Sequence, residues 1–192
     1  MKSRINFGMD SCPVGLPLQY SVRILTLMAF FMALAVPAFC AAYRVIRVYD
    51  GDTITVLDAG QKVRIRLVGI DAPERSRSKH KPGQPFSRRS GKYLAGLVLN
   101  KMVAVKSYGH GFYGRVLGVV FVDGKNVNLE MVRAGLAEAY RGRPAKGFDP
   151  LPYRRAEAKA RELKIGMWSL GERYISPRTW RHARRKNIHH HS

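Results

Sequence analysis

Apolar and polar side chains alternate along three short runs of the chain, which cover residues 42–49, 53–57 and 63–70. Asp-Gly or Ala-Gly pairs separate these runs and favour tight turns. Alternation with a period of two is typical of strands that bury one face. The pattern therefore predicts a three-stranded antiparallel meander. The third strand is expected to end before Pro73, because proline lacks a backbone donor and keeps the preceding residue extended.

Apolar residues recur at helical spacing in three later segments, residues 86–99, 126–137 and 151–163. Spacing of three and four residues with polar residues between is typical of helices that pack one face on a core. Asn126 is predicted to cap the second helix, because its side chain can accept a hydrogen bond from the first turn. Leu163 is expected on the buried face of the third helix.

Two further strands are predicted at residues 102–106 and 116–122, the second closed by an Asp-Gly pair. Five short strands with a helix inserted after the third are typical of a small closed barrel of the OB type. The predicted fold class is therefore α+β with a mainly β core, a five-stranded OB-fold barrel with three helices.

An uncharged apolar run covers residues 24–39, with Arg23 before it and the small residues Ala41 and Ala42 close behind it. A helix that spans a bilayer needs about 20 apolar residues, so a run of this length favours a signal peptide. An uncleaved membrane anchor is the competing interpretation.

These boundaries divide the chain into a signal peptide or anchor at residues 1–42, a barrel domain at 43–170 and a basic C-terminal tail at 171–192. The protein is expected to be secreted or periplasmic, or membrane-anchored if the N-terminal segment is kept. The tail carries too little apolar surface to fold alone. Trp180 could attach the tail to the barrel domain, and whether the tail is ordered stays open.

The chain carries 34 Lys and Arg against 13 Asp and Glu, a formal net charge of +21 over 192 residues. A surface this basic attracts polyanions, and charge alone leaves nucleic acid, anionic lipid and acidic glycan as partners. Of the two cysteines, Cys12 lies before the apolar run and Cys40 directly after it. If cleavage falls after Cys40, Ala41 or Ala42, thiol chemistry and cysteine-based zinc sites are excluded.

Carboxylates are scarce, and five of them fall between residues 50 and 74: Asp50, Asp52, Asp58, Asp71 and Glu74. If the first hairpin turn packs beside the end of the third strand, Asp52 and Asp71 can share one hard cation through oxygen ligands. Glu74 would then lie near the same ion, with Arg66 on the adjacent strand. The alternative is that residues 50–52 form only a turn and residues 71–74 only the end of a strand, with no shared site.

Three motifs in this chain together resemble the staphylococcal nuclease (thermonuclease) family over about residues 43–169. They are D-G-D-T at residues 50–53, R-L-V-G-I-D-A-P-E at 66–74 and Y-G-R at 113–115. The resemblance implies that Asp52, Asp71 and the backbone carbonyl of Ala72 are Ca²⁺ ligands. Hard oxygen donors with no His or Cys nearby also favour calcium over zinc.

The same resemblance implies that Glu74 is the base acting on the attacking water, and that Arg66 and Arg115 hold the phosphate. Tyr140 resembles the family tyrosine that stacks on a substrate base, and a residue at the edge of the core is the alternative. Tyr113 could stack on a base or pack against the barrel. Both alternatives stay open for each tyrosine.

These observations predict a secreted, Ca²⁺-dependent endonuclease that hydrolyses phosphodiester bonds of DNA and RNA and leaves 3′-phosphate ends, the last by similarity to the family. The alternative is a non-catalytic OB-fold adaptor that binds nucleic acid. We expect a monomer with DNA and RNA as substrates and with no stable protein partner. Contact with a membrane is expected only if the N-terminal segment is uncleaved.

Overall fold

The predicted meander is present in a computed structural model, which describes residues 42–76, 82–111 and 114–189, with side chains described up to residue 184. Its strands are β1 (Ala42–Val48), β2 (Thr53–Asp58) and β3 (Gln61–Leu67). Both hairpin pairings are antiparallel. The register sets Thr53 opposite Arg66, so the start of β2 lies beside the end of β3.

Two long strands close the barrel, β5 (Met102–His110) and β6 (Val116–Val122). β5 pairs antiparallel with both β1 and β6, and β6 pairs in parallel with β3. That last pairing joins the two edges of the sheet and confirms the predicted five-stranded barrel. β6 has the predicted bounds, whereas β5 continues four residues past the predicted end at 106.

The prediction that the third strand runs unbroken to residue 70 is wrong. β3 ends at Leu67, and Val68 and Gly69 form a turn in which Gly69 has a φ of 82°. A Cβ on Gly69 would lie 2.1 Å from the Phe148 ring, so glycine suits this position on both counts. The next residues form a separate short strand, β4 (Ile70–Asp71), which redirects Asp71 away from the barrel sheet.

Two further short strands complete the sheets, β7 (Lys125–Asn126) beside β6 and β8 (Glu138–Ala139) beside β4. The pairing of β4 with β8 is antiparallel and sets Asp71 opposite Glu138. This two-stranded sheet brings the segment after the second helix to the carboxylate motif.

The three predicted helices are α1 (Ser87–Val98), α2 (Val127–Arg133) and α3 (Leu151–Glu162). Asn126 caps α2 as predicted, because its side chain accepts a hydrogen bond from the amide of Leu129. The second helix is shorter than predicted, since Gly135 follows it with a φ of 62°. Leu163 is 54% exposed, so its predicted place on the buried face is wrong.

Two helical elements follow α3 in the described chain, a 3₁₀ segment (Gly166–Arg173) and a fourth helix, α4 (Pro177–His189). The segment interpreted from sequence as a basic tail therefore contains a helix. Met167 and Trp168 are buried against Ala160, so the 3₁₀ segment packs back on α3.

The barrel core is built from apolar residues that face inward from the strands and from α1 and α2. Its fully buried members include Val45, Ile54, Ile65, Leu67, Leu94, Val98, Met131 and Val132. None of the helices in the described ranges is long and apolar enough to cross a membrane. Residues 1–41 of the predicted signal peptide, and Tyr113, lie outside the described residues.

Asn128 ties α2 to the barrel from a fully buried position. Its amide nitrogen donates to the carbonyls of Val68 and Gly118, and its amide oxygen accepts from the backbone amide of Val120. These bonds reach buried backbone groups at the turn after β3 and in β6, and buried polar groups need hydrogen-bond partners.

We expect Asn128→Ala to lower the free energy of unfolding by about 3 kcal/mol, because it removes hydrogen bonds from several buried polar groups at once. Asn126→Ala is the matched control, and loss of that helix cap should cost about 1 kcal/mol. Urea denaturation followed by circular dichroism measures both. Equal losses for the two variants would contradict the structural role given to Asn128.

Candidate active site

The first hairpin turn packs beside the end of β3, which brings Asp52 close to Asp71. The backbone amide of Leu67 donates to the carbonyl of Asp52 (2.8 Å), and the amide of Ala72 donates to Asp52 Oδ2 (3.0 Å). Both aspartates are 2% exposed. The turn itself holds Gly51 against α1, where a Cβ would lie 1.8 Å from Ser90 Oγ. The predicted meeting of the two carboxylates is therefore present.

Arg66 lies between these two carboxylates. Its Nη1 is 2.8 Å from Asp52 Oδ1, and its Nη2 is 3.0 Å from Asp71 Oδ1. The Thr53 hydroxyl donates a further hydrogen bond to Asp52 Oδ1 (2.9 Å). The guanidinium thus bridges both predicted metal ligands and fixes their orientation.

Burial and neighbouring charges act in opposite directions on the pKa values of Asp52 and Arg66. Burial raises the pKa of the Asp52 carboxyl to about 8, and the nearby Arg66 charge opposes that shift. For Arg66 itself, burial alone would lower the pKa, but the charges of Asp52 and Asp71 outweigh it and raise the pKa overall. Buried anions with too little positive charge around them are suited to bind a cation.

The oxygen donors fit a hard cation. Asp71 Oδ1 accepts two hydrogen bonds, and Asp52 Oδ1 accepts one and lies 2.8 Å from Arg66 Nη1 in an ion pair. Each Oδ2 accepts one hydrogen bond and keeps a lone pair. Across the described ranges, no group of three or more His, Cys, Asp or Glu side chains could hold a metal ion. A metal ion at Asp52 and Asp71 would therefore need further ligands from backbone carbonyls and water, as calcium commonly accepts. The chemistry of the donor set suits a hard cation such as Ca²⁺, and the use of the Ala72 carbonyl as a ligand stays a prediction.

Glu74 lies next to this pair and is positioned through its backbone. Its amide donates to Gln84 Oε1 (3.0 Å), and its carbonyl accepts from the amide of Gln84 (2.9 Å). The Glu74 side chain is 22% exposed, more than either aspartate. A partly exposed carboxylate beside a buried pair is accessible to a water molecule at the site.

The structure adds Arg181, which the sequence analysis missed. This residue of α4 donates from Nη1 to Asp71 Oδ1 (2.9 Å) and Glu74 Oε1 (2.7 Å), and from Nη2 to Asp71 Oδ2 (2.7 Å). These bonds raise the pKa of Arg181, Asp71 contributing most. The only local signals for this helix in the sequence were Pro177, which suits a first helical turn, and the absence of Gly and Pro from residues 178–192.

The segment that leads into α4 is attached to the barrel domain by contacts of its own. Gln84 Nε2 donates to the carbonyl of Ile175 (2.7 Å), and the Tyr174 hydroxyl donates to Glu138 Oε2. The ring centroids of Trp168 and Tyr174 lie 4.5 Å apart. The same Gln84 therefore contacts both the Glu74 backbone and the connection to α4.

A cavity of about 300 Å³ opens beside the carboxylates, between the segment after β8 and α4. Tyr140, one of its wall residues, is 43% exposed and is held by a backbone hydrogen bond to Gly69 (2.9 Å). The wall also includes Asp71, Arg141, Arg178, Arg181 and His182. An accessible ring and several cations beside Asp71 suit a nucleotide, and the role of Tyr140 stays a prediction.

Arg115 comes directly before β6 and is half-buried. The parallel pairing sets Leu117 beside Arg66. Because side chains alternate along a strand, Arg115 continues the face of β6 that adjoins Arg66. The arrangement is consistent with the prediction that both arginines serve one phosphate.

The buried Glu138 and the half-buried Tyr174 form a hydrogen-bonded pair near the cavity. Burial raises the pKa of the Glu138 carboxyl above its usual 4.5, while its hydrogen bond from Tyr174 opposes the shift. Burial, and then the bond to Glu138, raises the pKa of Tyr174, which keeps the phenol protonated as a donor.

We expect the pair to make stability depend on pH. The folded protein binds the Glu138 proton more tightly than the unfolded chain, so the free energy of unfolding should fall as pH rises from about 4.5 through the raised pKa. Glu138→Gln removes this titration and keeps an acceptor for Tyr174. Urea midpoints at pH 5 and pH 8 should therefore drop more for wild type than for the variant. A difference that stays constant with pH would contradict the assignment.

Comparison with known proteins agrees with this geometry. A model of the family described as staphylococcal nuclease homologue matches residues 64–170. An uncharacterized endonuclease of Escherichia coli is 43% identical over 152 residues, which cover 77% of this chain and 91% of that protein. A micrococcal nuclease of Shigella flexneri is 38% identical over 168 residues, 81% of this chain and 89% of that protein. With its motifs, its barrel and its carboxylate site, the chain belongs to the staphylococcal nuclease homologue family.

Proposed function

We propose that this protein is an exported, Ca²⁺-dependent endonuclease that hydrolyses DNA and RNA and leaves 3′-phosphate ends. Its enzyme class is that of a phosphodiester-hydrolysing nuclease, as the family match and the relatives named endonuclease and micrococcal nuclease show. The observation that carries the finer proposal is the cluster of Asp52, Arg66, Asp71 and Glu74, joined by contacts of 2.8 to 3.0 Å between Arg66 and both aspartates.

The proposed mechanism assigns one task to each polar group. Asp52 and Asp71, with the Ala72 carbonyl, would hold the metal ion, which supplies positive charge to polarise a phosphate oxygen. Glu74 takes a proton from the attacking water, a task suited to a carboxylate that solvent can reach. Each task depends on the orientation that the buried hydrogen bonds impose.

Arg66 and Arg115 neutralise the charge that grows on the equatorial phosphate oxygens. A guanidinium carries five N–H donors, so Arg66 can hold both aspartates and still offer donors to a phosphate. Preorganised donors of this kind need no rearrangement as charge develops. Each can lower the activation free energy by about 3 kcal/mol. The leaving group would be the 5′ oxygen.

Charge supports nucleic acid as the substrate class. The formal net charge of +21 attracts the phosphate backbone without reading its sequence. The cavity beside Asp71 adds an exposed ring, Tyr140, on which a base could stack. Export is proposed only from the apolar run at residues 24–39.

Cleavage of supercoiled plasmid is the direct test of the metal. We expect rapid nicking in Ca²⁺ and none in EDTA, because the proposed chemistry needs the cation to polarise the phosphate. Incubation with Mg²⁺ or Zn²⁺ in place of Ca²⁺ tests the choice of ion. DNA binding without cleavage in every metal would contradict the nuclease and favour the non-catalytic adaptor.

Glu74→Gln keeps the shape of the side chain and removes its basicity. We expect cleavage to slow by about 10²-fold or more, the usual scale for general-base catalysis, with affinity for single-stranded DNA nearly unchanged. The control is Glu162→Gln, an exposed residue on α3 that pairs only with Lys159 among the described side chains. Single-turnover rates at saturating Ca²⁺ measure both. Equal rates for wild type and Glu74→Gln would remove Glu74 from the mechanism.

A further inference from the structure

The carboxylate cluster already contains a cation that the chain itself supplies. Arg181 contacts both oxygens of Asp71 and one oxygen of Glu74, at 2.7 to 2.9 Å. Asp71 is the proposed metal ligand and Glu74 the proposed base. The Arg181 guanidinium therefore contacts both a proposed metal ligand and the proposed general base.

Arg181 takes acceptor capacity that a metal ion would need. Asp71 Oδ1 accepts hydrogen bonds from both Arg66 and Arg181, which uses both of its lone pairs. Asp71 Oδ2 accepts another bond from Arg181. A divalent cation at Asp71 would also be repelled by a guanidinium in direct contact with the same carboxylate.

The helix does not depend on Arg181 for its place in the fold. The Gln84 bond to Ile175 and the Tyr174 bond to Glu138 hold the preceding segment, and Pro177 is buried at the start of α4. The Arg181 side chain is 32% exposed and borders the 300 Å³ cavity. It can therefore leave the carboxylates by rotating into the cavity while the backbone of α4 stays docked.

We propose that Arg181 is a built-in competitor of the metal ion, so that the metal can bind Asp71 only when this guanidinium leaves Asp71 and Glu74. In the metal-free protein, α4 thus caps the site and holds the base in an ion pair. The inference rests on the proposed function in one respect, the metal site at Asp52 and Asp71. It adds a control on that site from a helix that lies beyond the family match, which ends at residue 170.

Calcium affinity measured by isothermal titration calorimetry on the full chain is the test, since it needs no turnover. We expect Arg181→Ala to bind Ca²⁺ about tenfold more tightly than wild type, within the usual range for coupled binding events. Arg178→Ala is the matched control. Arg178 lies one turn earlier on α4, faces the same cavity and has no contact with Asp71 or Glu74 among the described residues. Its removal should change the affinity by less than about twofold, because salt screens an exposed charge.

Arg181→Lys provides a second variant that keeps the charge. A single ammonium cannot reproduce the fork that spans Asp71 and Glu74, so its Ca²⁺ affinity should fall between those of wild type and Arg181→Ala. Circular dichroism checks that each variant is folded. If Arg181→Ala does not fold, the lysine variant decides, and an affinity equal to wild type would overturn the proposal.

Unchanged or weaker Ca²⁺ binding by Arg181→Ala contradicts the proposal. An equal gain in Ca²⁺ affinity in Arg178→Ala contradicts it too, because the gain would then come from the lower net charge and not from the contacts of Arg181. No detectable Ca²⁺ binding by any variant contradicts it as well. Plasmid cleavage separates this result from the proposed function. An affinity gain without cleavage would support the competition and refute the nuclease mechanism, whereas cleavage without an affinity gain would do the reverse.

Discussion

The Asp52 carboxyl is buried at the base of the site, and the arrangement around it follows from the cost of carrying a negative charge there. An ionised carboxylate inside a protein is costly unless it is paired and hydrogen-bonded. Arg66, Thr53 and the Ala72 amide all contact Asp52. Arg66 reaches it because the register of the β2–β3 hairpin sets Arg66 opposite Thr53. A slip of one residue would turn Arg66 to the other face of the sheet, so the register of the barrel and the electrostatics of the site depend on each other.

Compensation by Arg66 is incomplete, and this shapes the rest of the site. Arg66 is one cation shared between two buried aspartates, and Glu74 adds a third carboxylate nearby. Negative charge in excess favours any cation that can reach it. The cation that the chain itself supplies is Arg181 of α4, and the proposed metal ion would occupy overlapping acceptor positions. The same imbalance thus accounts both for the position of the Arg181 side chain and for the suitability of the site for the proposed metal ion.

The site combines rigid and adjustable parts. Asp52, Asp71 and Arg66 are held by the barrel and by the β4–β8 pairing, in which Asp71 lies opposite Glu138. Glu74 and Arg181 are more exposed and meet at the edge of the cavity. A preorganised group of ligands beside side chains that can move is an arrangement suited to an enzyme that must admit a metal ion and a long polyanion. Membership of a nuclease family is consistent with that division.

The sequence alone determined the meander, the barrel and the closeness of Asp52, Arg66, Asp71 and Glu74. The β2–β3 hairpin sets the start of β2 beside Arg66, and the other two carboxylates follow shortly after Arg66 in the chain. The sequence did not determine the break after Leu67, since that turn exists to pair β4 with β8, nearly 70 residues away. Nor did it reveal Arg181, which lies 110 residues from Asp71 and belongs to a segment with little apolar pattern of its own. Local patterns specify periodic elements, whereas the partner of a buried charge depends on which distant segment the completed fold brings to it. The tertiary structure alone therefore decided that the basic C-terminal segment forms a helix on the site.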